Sequence, residues 1–440
     1  SRKATSSGRG QLVTWLLGVA VFFDDYANTL VVGNTMRPIT DKLKISREKL
    51  AYIVDSTAAP VAAIALLSTW IGYEISLIGD ALAKAGSDLD PYAVFLQSIP
   101  YNFYPILALA FGLMIAGSRR DFGPMLKAER RARRGKLMAD GARPLSDFDS
   151  RGLLPVEGKP HRWTNAVIPL AVVLHATFIG QWFTGRAAMA EAGHALSETP
   201  FFQLGMEGIG TVFSKGNSFQ ALLWAAALGS MVAIAMVTGR RVLKLQEALD
   251  AWLHGIKSML PAMIILVLAW GIASVCKDLD TAGFVTSLLS DRLDPNLLPA
   301  LMFLCGALIA FSTGTSWATM GILLPLAVPI AFGVTAASGF GDAAAHQVFL
   351  ATTSAVLAGA IFGDHCSPIS DTTVLSSMSS GCDHVDHVRT QLPYALTVAL
   401  AALLTGYLPV AAGLPVWAGL LLGVAVLGLV VRFAGKPVES

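Results

Sequence analysis

Long apolar runs alternate with short polar stretches along the whole chain. A transmembrane helix needs about 20 predominantly apolar residues to cross a hydrocarbon core roughly 30 Å thick. Runs near this length recur from one end of the sequence to the other, at 52–78, 92–116, 163–183, 218–237, 256–275, 346–362, 392–408 and 414–431. The pattern therefore predicts an all-α polytopic membrane protein.

Two apolar regions contain a polar interruption that leaves each side too short to span the bilayer alone. In residues 11–37 the interruption is at 24–28, and in residues 297–332 it is at 312–317. A segment that enters the bilayer and turns back has this pattern, because neither half has to cross. We interpret both regions as re-entrant helical hairpins with polar tips.

Two of the spans carry polar residues beside a proline. Residues 46–78 contain the run from Asp55 to Pro60, and residues 346–380 contain the run from Asp364 to Pro368. Proline lacks the N–H that a helix interior requires, and non-helical backbone at membrane depth is tolerated only inside protein or beside a water-filled cavity. Each span is therefore predicted to be a broken transmembrane helix at a binding site.

The distribution of basic residues sets the orientation of these elements. Lysine and arginine flank residues 11–37 on both sides and cluster in 117–162, whereas the segment before residue 297 is acidic. By the positive-inside rule the first hairpin enters from the cytoplasm and the second from the opposite face. We interpret the basic loop 117–162 as cytoplasmic rather than as a nucleic-acid site, since such loops are the ordinary orientation signal of membrane proteins.

Two modules of hairpin plus broken helix that enter from opposite faces are typical of inverted-topology repeats, in which substrate and ion sites lie near the bilayer midplane. The predicted organisation is a first repeat at 1–116 (hairpin 11–37, broken helix 46–78, return helix 92–116), a basic cytoplasmic loop at 117–162, connecting transmembrane helices and an amphipathic helix at 163–255, a second repeat at 256–390 (hairpin 297–332, broken helix 346–380) and a C-terminal helical hairpin at 391–440.

The composition agrees with a membrane protein, and the absence of certain motifs reduces the number of functions to consider. Hydrophobic residues make up 54% of the chain and charged residues 14%, with a mean hydropathy of +0.59. The four cysteines have no CxxC or disulfide spacing, so we expect free thiols. The sequence contains no phosphate-binding glycine loop and no nucleophile–base pattern. It therefore favours a secondary transporter over an ATP-driven pump or an enzyme, and no cofactor is expected.

The polar residues of the tips and breaks offer oxygen ligands. Na⁺ is a hard cation that prefers carboxylate, hydroxyl and carbonyl oxygens, as Ca²⁺ and Mg²⁺ do. A carboxylate at bilayer depth costs roughly 2.5–3.5 kcal/mol on insertion scales, so it is rarely there for packing. The candidate ion- or substrate-binding residues are Asp24, Asp25, Asn28, Asp55, Ser56, Thr57, Thr313, Thr315, Ser316, Asp364, Ser367, Ser370, Asp371, Thr372 and Thr373.

The predicted Na⁺ ligands are Asp364, Asp371 and Asp25. A buried carboxylate without a cation tends to hold a proton, and a nearby cation reverses that preference. An aspartate that holds either a proton or Na⁺ couples the two fluxes, which is the minimal chemistry of a Na⁺/H⁺ antiporter. A Na⁺- or H⁺-coupled carrier of an amino acid or small organic acid remains open, because free N–H groups at the second tip can hold a carboxylate.

Several candidates also have a structural interpretation. Asp24 or Asp25 fits a helix N-cap, Asp55 fits a position near the cytoplasmic interface, and hydroxyls at hairpin tips often bond to freed carbonyls. Three histidines, His365, His384 and His387, are candidates for pH sensing because histidine titrates near neutrality. The last two lie at an expected cytoplasmic end, where they are alternatively solvated, and no strong zinc-ligand spacing is present.

Five motifs of the chain resemble the NhaC family of Na⁺/H⁺ antiporters. They are FFDDYAN at 22–28, DSTAAP at 55–60, FGDHCSPISDTT at 362–373, GCDH at 381–384 and TQLPY at 390–394. The resemblance implies an ion-transporter-superfamily fold with paired hairpins and Na⁺/H⁺ exchange at the bacterial cytoplasmic (inner) membrane. Na⁺, H⁺ and the lipid bilayer are then the expected partners, nucleic acid is not expected, and a homodimer is an expected assembly.

The resemblance leaves the transported solute open, because similar proteins include organic-acid exchangers and amino-acid transporters. An amino acid or small carboxylate therefore stays among the candidate substrates. The chain begins at Ser1 without a methionine, and the family leads us to expect further spans before it.

Overall fold

The computed structural model describes residues 6–65, 68–144, 162, 164–257, 264, 275, 278–279, 294–337, 339 and 341–438. The chain divides into two compact units, a larger one of residues 1–65, 74–145 and 262–440 and a smaller one of residues 66–73 and 146–261. The predicted span 256–275 and the acidic segment after it lie almost entirely outside the described residues, and so does Cys276.

The N-terminal part of the larger unit contains a helical hairpin, a helix broken at Ala58 and a bent helix. Its helices are α1 (Ser7–Ala20), α2 (Asp25–Lys42), α3 (Arg47–Thr57), α4 (Ala59–Ala62), α6 (Pro91–Ser98), α7 (Phe103–Ser118) and α8 (Gly123–Arg133), with the short strand β1 (Arg120–Asp121) before α8. Helix α5 (Thr69–Lys84) belongs to this unit from residue 74 onward and to the smaller unit before it.

The smaller unit is a set of helices in which two long members pack along each other. They are α9 (Thr164–Glu191), α10 (Gly205–Ser214), α11 (Ser218–Gly239) and α12 (residues 245–257). Helices α9 and α11 pack closely where Gly180 faces Ala221, since a Cβ atom at Gly180 would lie 3.0 Å from the Ala221 Cα. The predicted amphipathic helix corresponds to α12, and its Leu245 and Trp252 side chains are exposed.

The C-terminal part of the larger unit contains a second hairpin and a second broken helix. Its helices are α13 (Leu298–Thr313), α14 (Ser316–Ala337), α15 (Asp342–Cys366), α16 (Asp371–Ser380), α17 (His384–Ala401), a π-helical turn (Ala402–Tyr407), α18 (Leu408–Ala411) and α19 (Val416–Phe433), followed by the short strand β2 (Lys436–Pro437), which pairs antiparallel with β1.

The described part of the chain contains five helices that are long and apolar enough to cross a bilayer. They are Val167–Glu191, Ser316–Ala336, Asp342–Cys366, His384–Ala411 and Val416–Phe433. A sixth span is formed if α6 and α7, which meet at a bend of 45°, cross together. The prediction of a helical, multi-pass membrane protein is therefore confirmed. The prediction that each side of the interruption in 297–332 is too short to span alone is wrong for the second side, because α14 continues past residue 332 to Ala337 and contains the span Ser316–Ala336.

At each hairpin tip a residue with the appropriate capping chemistry begins or ends a helix. Asp24 is the N-cap of α2, and its side chain accepts a hydrogen bond from the Ala27 N–H at 2.7 Å, so the capping interpretation holds for Asp24. Helix α13 is capped at its C-terminal end by Gly314, whose φ of 69° lies in the left-handed region. A Cβ atom there would lie 2.6 Å from the Ile369 carbonyl oxygen, so the second tip packs directly against the second helix break.

The second break is a short extended segment between two capped helices. Helix α15 ends at Cys366, and Ser367 and Ser370 both have extended backbone angles. The Ser370 side chain then caps α16 by accepting from the Thr373 N–H at 3.4 Å. Asp364 lies in the last turn of α15, so its carboxylate is carried by a helix end beside the break.

Two segments differ from their predicted secondary structure: the return helix is interrupted, and the basic loop contains a helix. The return helix 92–116 is not continuous, because a 3₁₀ turn (Ile99–Tyr101) separates α6 from α7. Pro100 in this turn has no N–H, which interrupts the helical hydrogen bonds. The basic loop 117–162 contains α8, whose Met125 and Ala128 side chains are buried.

Helices α13 and α15 pack backbone against backbone through a small-residue motif. Gly359 and Gly363 are four residues apart on α15, and Cβ atoms there would lie 2.3 Å from the Phe303 oxygen and 2.2 Å from the Ala307 oxygen. Such small-xxx-small faces allow close approach of membrane helices. This contact fixes the end of α15 that carries Asp364.

We expect Gly359→Ala to lower the free energy of unfolding by about 1–3 kcal/mol, because the added methyl group forces the two backbones apart. Gly333→Ala on α14 is the matched control, since no atom of the residues that the structure describes lies within 4 Å of its Cβ position. Unfolding of the purified protein in mixed micelles, titrated with sodium dodecyl sulfate, measures both. Equal unfolding midpoints for the two variants would contradict the close-packing role of Gly359.

Candidate functional site

The second hairpin tip and the second helix break are joined by two side-chain hydrogen bonds. Ser316, the first residue of α14, donates to the Asp364 Oδ2 atom at 3.1 Å. Ser367, in the break, donates to the Phe311 carbonyl oxygen at 2.8 Å near the end of α13. The ends of four helices, α13 to α16, therefore meet around the Asp364 carboxylate.

The first hairpin tip reaches both breaks. Tyr26, in the first turn of α2, donates a short hydrogen bond to the Asp371 carboxylate at the start of α16. Asn28 donates its side-chain amide to the Thr57 carbonyl oxygen at 3.0 Å and to the Gly18 carbonyl oxygen at 2.7 Å. Tip residues of the first hairpin thus contact the last residue of α3 and the first residue of α16.

Asp55 on α3 accepts hydrogen bonds from side chains of two other helices. Thr373 on α16 donates to its Oδ2 atom at 3.0 Å, and Gln391 on α17 donates to the same atom at 2.7 Å. His387 Nε2 lies 3.3 Å from this oxygen. Asp55 is 2% exposed. It therefore lies in the protein interior.

His365 is linked to the Asp55 cluster through Gln391. Gln391 donates to the His365 carbonyl oxygen at 2.5 Å, and the His365 Nε2 atom lies 4.0 Å from Asp55 Oδ2. The other ring nitrogen of His365 lies 2.7 Å from the Tyr104 hydroxyl of α7. This histidine therefore connects α7 and α15 with the carboxylate on α3.

The other two candidate histidines differ in their surroundings. His387 is 1% exposed, so the alternative of a solvated helix end is wrong for this residue. His384 is half-buried, and its ring nitrogens lie 2.6 Å from the Pro368 carbonyl oxygen and 2.9 Å from the Ser377 hydroxyl. His384 thus ties the start of α17 to the second break.

The remaining predicted hydroxyls contact neighbouring groups of their own segments. Ser56 and Thr57 donate to the Ile53 carbonyl oxygen, and Thr313 donates to the Ile309 carbonyl oxygen. These are the back-bonds expected of serine and threonine in helices. Thr315 accepts weakly from the Ala318 N–H, and the Thr372 hydroxyl lies 3.1 Å from that of Ser370.

Charge at the site is dominated by carboxylates. Asp25 is 5% exposed in the first turn of α2, and Asp364 is 1% exposed. Among the described residues, no lysine or arginine forms an ion pair with Asp55, Asp364 or Asp371. Asp364 Oδ1 is buried and has no hydrogen-bond partner in the described part of the protein. A buried carboxylate in this state requires a proton or a cation.

A Na⁺ ion at this site would need oxygens other than carboxylates. Among the described residues, no three His, Cys, Asp or Glu side chains form a metal-binding group. Hydroxyls and carbonyl oxygens of the two tips and two breaks are the remaining donors, and Na⁺ accepts both kinds. Binding of Na⁺ by Asp364, Asp371 and Asp25 stays a prediction.

Three residues of the cluster were missed in the sequence, namely Tyr26, Tyr104 and Gln391. Gln391 had a detectable signal, because His387 and Gln391 are four residues apart and share one face of a helix. Their side chains lie 2.8 Å apart. Tyr104 had no such signal, since its partner His365 is 261 residues away in the sequence.

The fold and site define a multi-pass membrane protein with buried carboxylates at helix breaks. The chain belongs to the Na⁺/H⁺ antiporter family, whose profile matches residues 61–409. This membership confirms the resemblance that the sequence motifs indicated, and it makes the protein a transporter of the antiport class.

Individual relatives differ in what their names say they exchange. An uncharacterized protein of Haemophilus influenzae is 36% identical over 401 residues, which cover 91% of this chain and 70% of that protein. A malate-2H⁺/Na⁺-lactate antiporter of Bacillus subtilis is 32% identical over 36% of this chain and 32% of its own length. An arginine/ornithine antiporter of Halobacterium salinarum is 32% identical over 36% of this chain and 30% of its own length.

The chain spans about a third of the two relatives with named substrates. No solved structure is similar enough to match.

Proposed function

We propose that this protein exchanges Na⁺ for H⁺ across the bacterial cytoplasmic membrane, at a midplane site formed by the predicted Na⁺ ligands Asp364, Asp371 and Asp25 together with Asp55. The observation that carries the proposal is the buried, unpartnered Oδ1 atom of Asp364. A proton or a Na⁺ ion relieves this state, and the two compete for the same carboxylate. Competition of this kind couples an inward flux of one ion to an outward flux of the other.

Helix ends around the carboxylates support a cation site. The C-terminal end of a helix carries a partial negative charge, roughly half an elementary charge, and therefore favours cations. Asp364 lies at such an end, in the last turn of α15. Discontinuous helices whose ends converge on an ion are a recurring feature of secondary transporters.

We further propose that the two modules of hairpin and broken helix form an inverted-topology repeat. Hairpin α1–α2 is followed by the break after α3, and hairpin α13–α14 by the break after α15. Helix α16 packs against α2 and α3, so the halves contact each other at the carboxylates. Rocking of one repeat against the other would then expose the site to each side in turn.

A carrier of an organic solute is the second candidate, because relatives are named for lactate and for arginine or ornithine exchange. The charge balance of the site favours a cationic cargo. An organic anion entering beside Asp55, Asp364 and Asp371 would meet like charge without a described lysine or arginine paired there. A carboxylate solute would therefore need an accompanying cation to offset this repulsion. Na⁺ or a cationic amino acid could bind without one.

Flux measurements in proteoliposomes separate the two candidates. We expect a Na⁺ gradient alone to drive proton movement, because a carboxylate that binds Na⁺ or H⁺ needs no third solute. The measurement is the fluorescence of a trapped pH indicator, first with Na⁺ alone and then with a panel of amino acids and organic acids. Strict dependence on an organic solute would contradict Na⁺/H⁺ exchange and favour the carrier.

A further inference from the structure

A cleft between α7 and α19 lies outside the carboxylate site, at the end of these helices that the charge pattern assigns to the cytoplasm. Its volume is about 410 Å³. Its lining residues are Met114, Gly117, Ser118, Arg120, Gly428, Val431 and Arg432. The cleft therefore combines apolar lining residues with two arginines.

Two glycines keep the wall of the cleft open. A Cβ atom at Gly117 or at Gly428 would meet no atom of the described residues within 4 Å. Met114 is half-buried and Val431 is buried, so an apolar surface continues along both helices beneath the glycines. A hydrocarbon chain can lie against such a surface without displacing a side chain.

The two arginines have no carboxylate partner within the described residues. Arg120 donates to the Gly435 carbonyl oxygen at 2.7 Å and to the Arg432 carbonyl oxygen at 3.0 Å. These neutral acceptors orient the Arg120 guanidinium but leave its charge uncompensated. The Arg432 side chain is exposed in the last turn of α19. The lining thus contains two positively charged residues and Ser118 beside apolar residues and glycines.

We propose that this cleft binds an anionic phospholipid of the cytoplasmic leaflet, with its phosphate at Arg120 and Arg432 and an acyl chain along Gly428. Basic pockets between transmembrane helices on the cytoplasmic side have the chemistry to bind such headgroups. Arginine binds phosphate oxygens with directed N–H donors. The apolar wall favours a lipid over free phosphate, because free phosphate gains nothing from a hydrocarbon surface.

The bound lipid would hold together two distant parts of the chain. Arg120 belongs to strand β1, which pairs with β2 near the C-terminus. Among the described residues its guanidinium donates to no carboxylate, so a phosphate would add a charged acceptor to the carbonyl oxygens already there. The lipid would therefore stabilise the link between the start of the basic segment 117–162 and the end of α19.

Native mass spectrometry of the full chain in detergent tests the site, with phosphatidylglycerol and phosphatidylcholine as probes. We expect Arg432→Gln to lower phosphatidylglycerol retention about fivefold, the change that corresponds to loss of one basic residue near a phosphate. Gly428→Leu fills the cleft without changing charge, and we expect it to lower retention of the same lipid to a similar degree. Arg389→Gln, at an exposed arginine of α17, is the charge-matched control and should leave retention unchanged.

Three results would overturn the proposal. They are unchanged phosphatidylglycerol retention in both Arg432→Gln and Gly428→Leu, an equal loss in Arg389→Gln, and displacement of the lipid by inorganic phosphate at equal concentration. Displacement by phosphate would identify a site for the free ion. The thermal midpoint of each variant in lipid-free detergent, expected to equal that of the parent protein, separates loss of binding from loss of fold.

Discussion

Replacing Asp364 by asparagine is expected to abolish Na⁺-driven proton movement in proteoliposomes. Asparagine has nearly the same shape, so the Ser316 hydroxyl keeps an oxygen to which it can donate. The amide, however, cannot release a proton or neutralise Na⁺ at the pH of the cell. Both half-reactions of the exchange are therefore lost together, and the measured flux should fall to that of protein-free vesicles.

Two further variants serve as comparisons for Asp364→Asn. Ser316→Ala removes a hydrogen bond to the carboxylate but keeps the acid, so we expect exchange to slow by about tenfold without stopping. Asp140→Asn changes an exposed carboxylate that pairs with Lys136, and it should leave the flux unaltered. If the Asp364→Asn protein exchanged Na⁺ and H⁺ at the parent rate, the assignment of this residue would be wrong.

The hairpins and helix breaks were predictable because their causes are local. Pro368 and the polar residues around it exclude a continuous helix whatever lies nearby, and Asp24 caps α2 through an N–H three residues away. The composition likewise determined that the chain is a membrane protein. Each of these features depends on residues within about one helical turn, which a single sequence contains in full.

The partners of the carboxylates were not predictable, because they come from distant segments. Thr373 and Gln391 reach Asp55 across 318 and 336 residues of sequence. The burial of His387 was not predictable for the same reason, since a histidine beside a basic flank has the pattern of a solvated helix end at the membrane surface. Its burial depends on how α17 packs against α3, and no local pattern records that packing.

The basic segment 117–162 is the clearest example of contacts that the sequence alone does not reveal. Its charge was interpreted as an orientation signal, whereas the structure shows that three of its residues, Asp121, Glu129 and Arg131, also contact α3 and its N-cap Ser46. Lys49 of α3 pairs with Asp121, and both side chains are at most 1% exposed. Glu129 of α8 accepts from the Ser46 N–H at 2.7 Å. Burial raises the pKa of Glu129, and the positive charge of Lys49 opposes that rise. A further contact is the ion pair of Arg131 with Glu48.

Lys49→Met is expected to lower the free energy of unfolding by about 3–5 kcal/mol, because it leaves the Asp121 carboxylate buried without its cation. The Tyr394 hydroxyl, 2.5 Å from Asp121, donates one hydrogen bond but brings no charge. Titration with sodium dodecyl sulfate in mixed micelles measures the change. Lys136→Met is the matched control, since its ion pair with Asp140 is exposed and contributes little.

The double variant Lys49→Met/Asp121→Asn distinguishes the buried charge from a loss of packing. Removing both charges leaves a neutral pair that Tyr394 can still bond, so most of the lost stability should return. Equal stability of the single and double variants would mean that the lysine acts through its methylene chain instead. Lys49 and Asp55 share α3, so a destabilised network should also slow ion exchange, whereas Lys136→Met should leave both stability and flux unchanged.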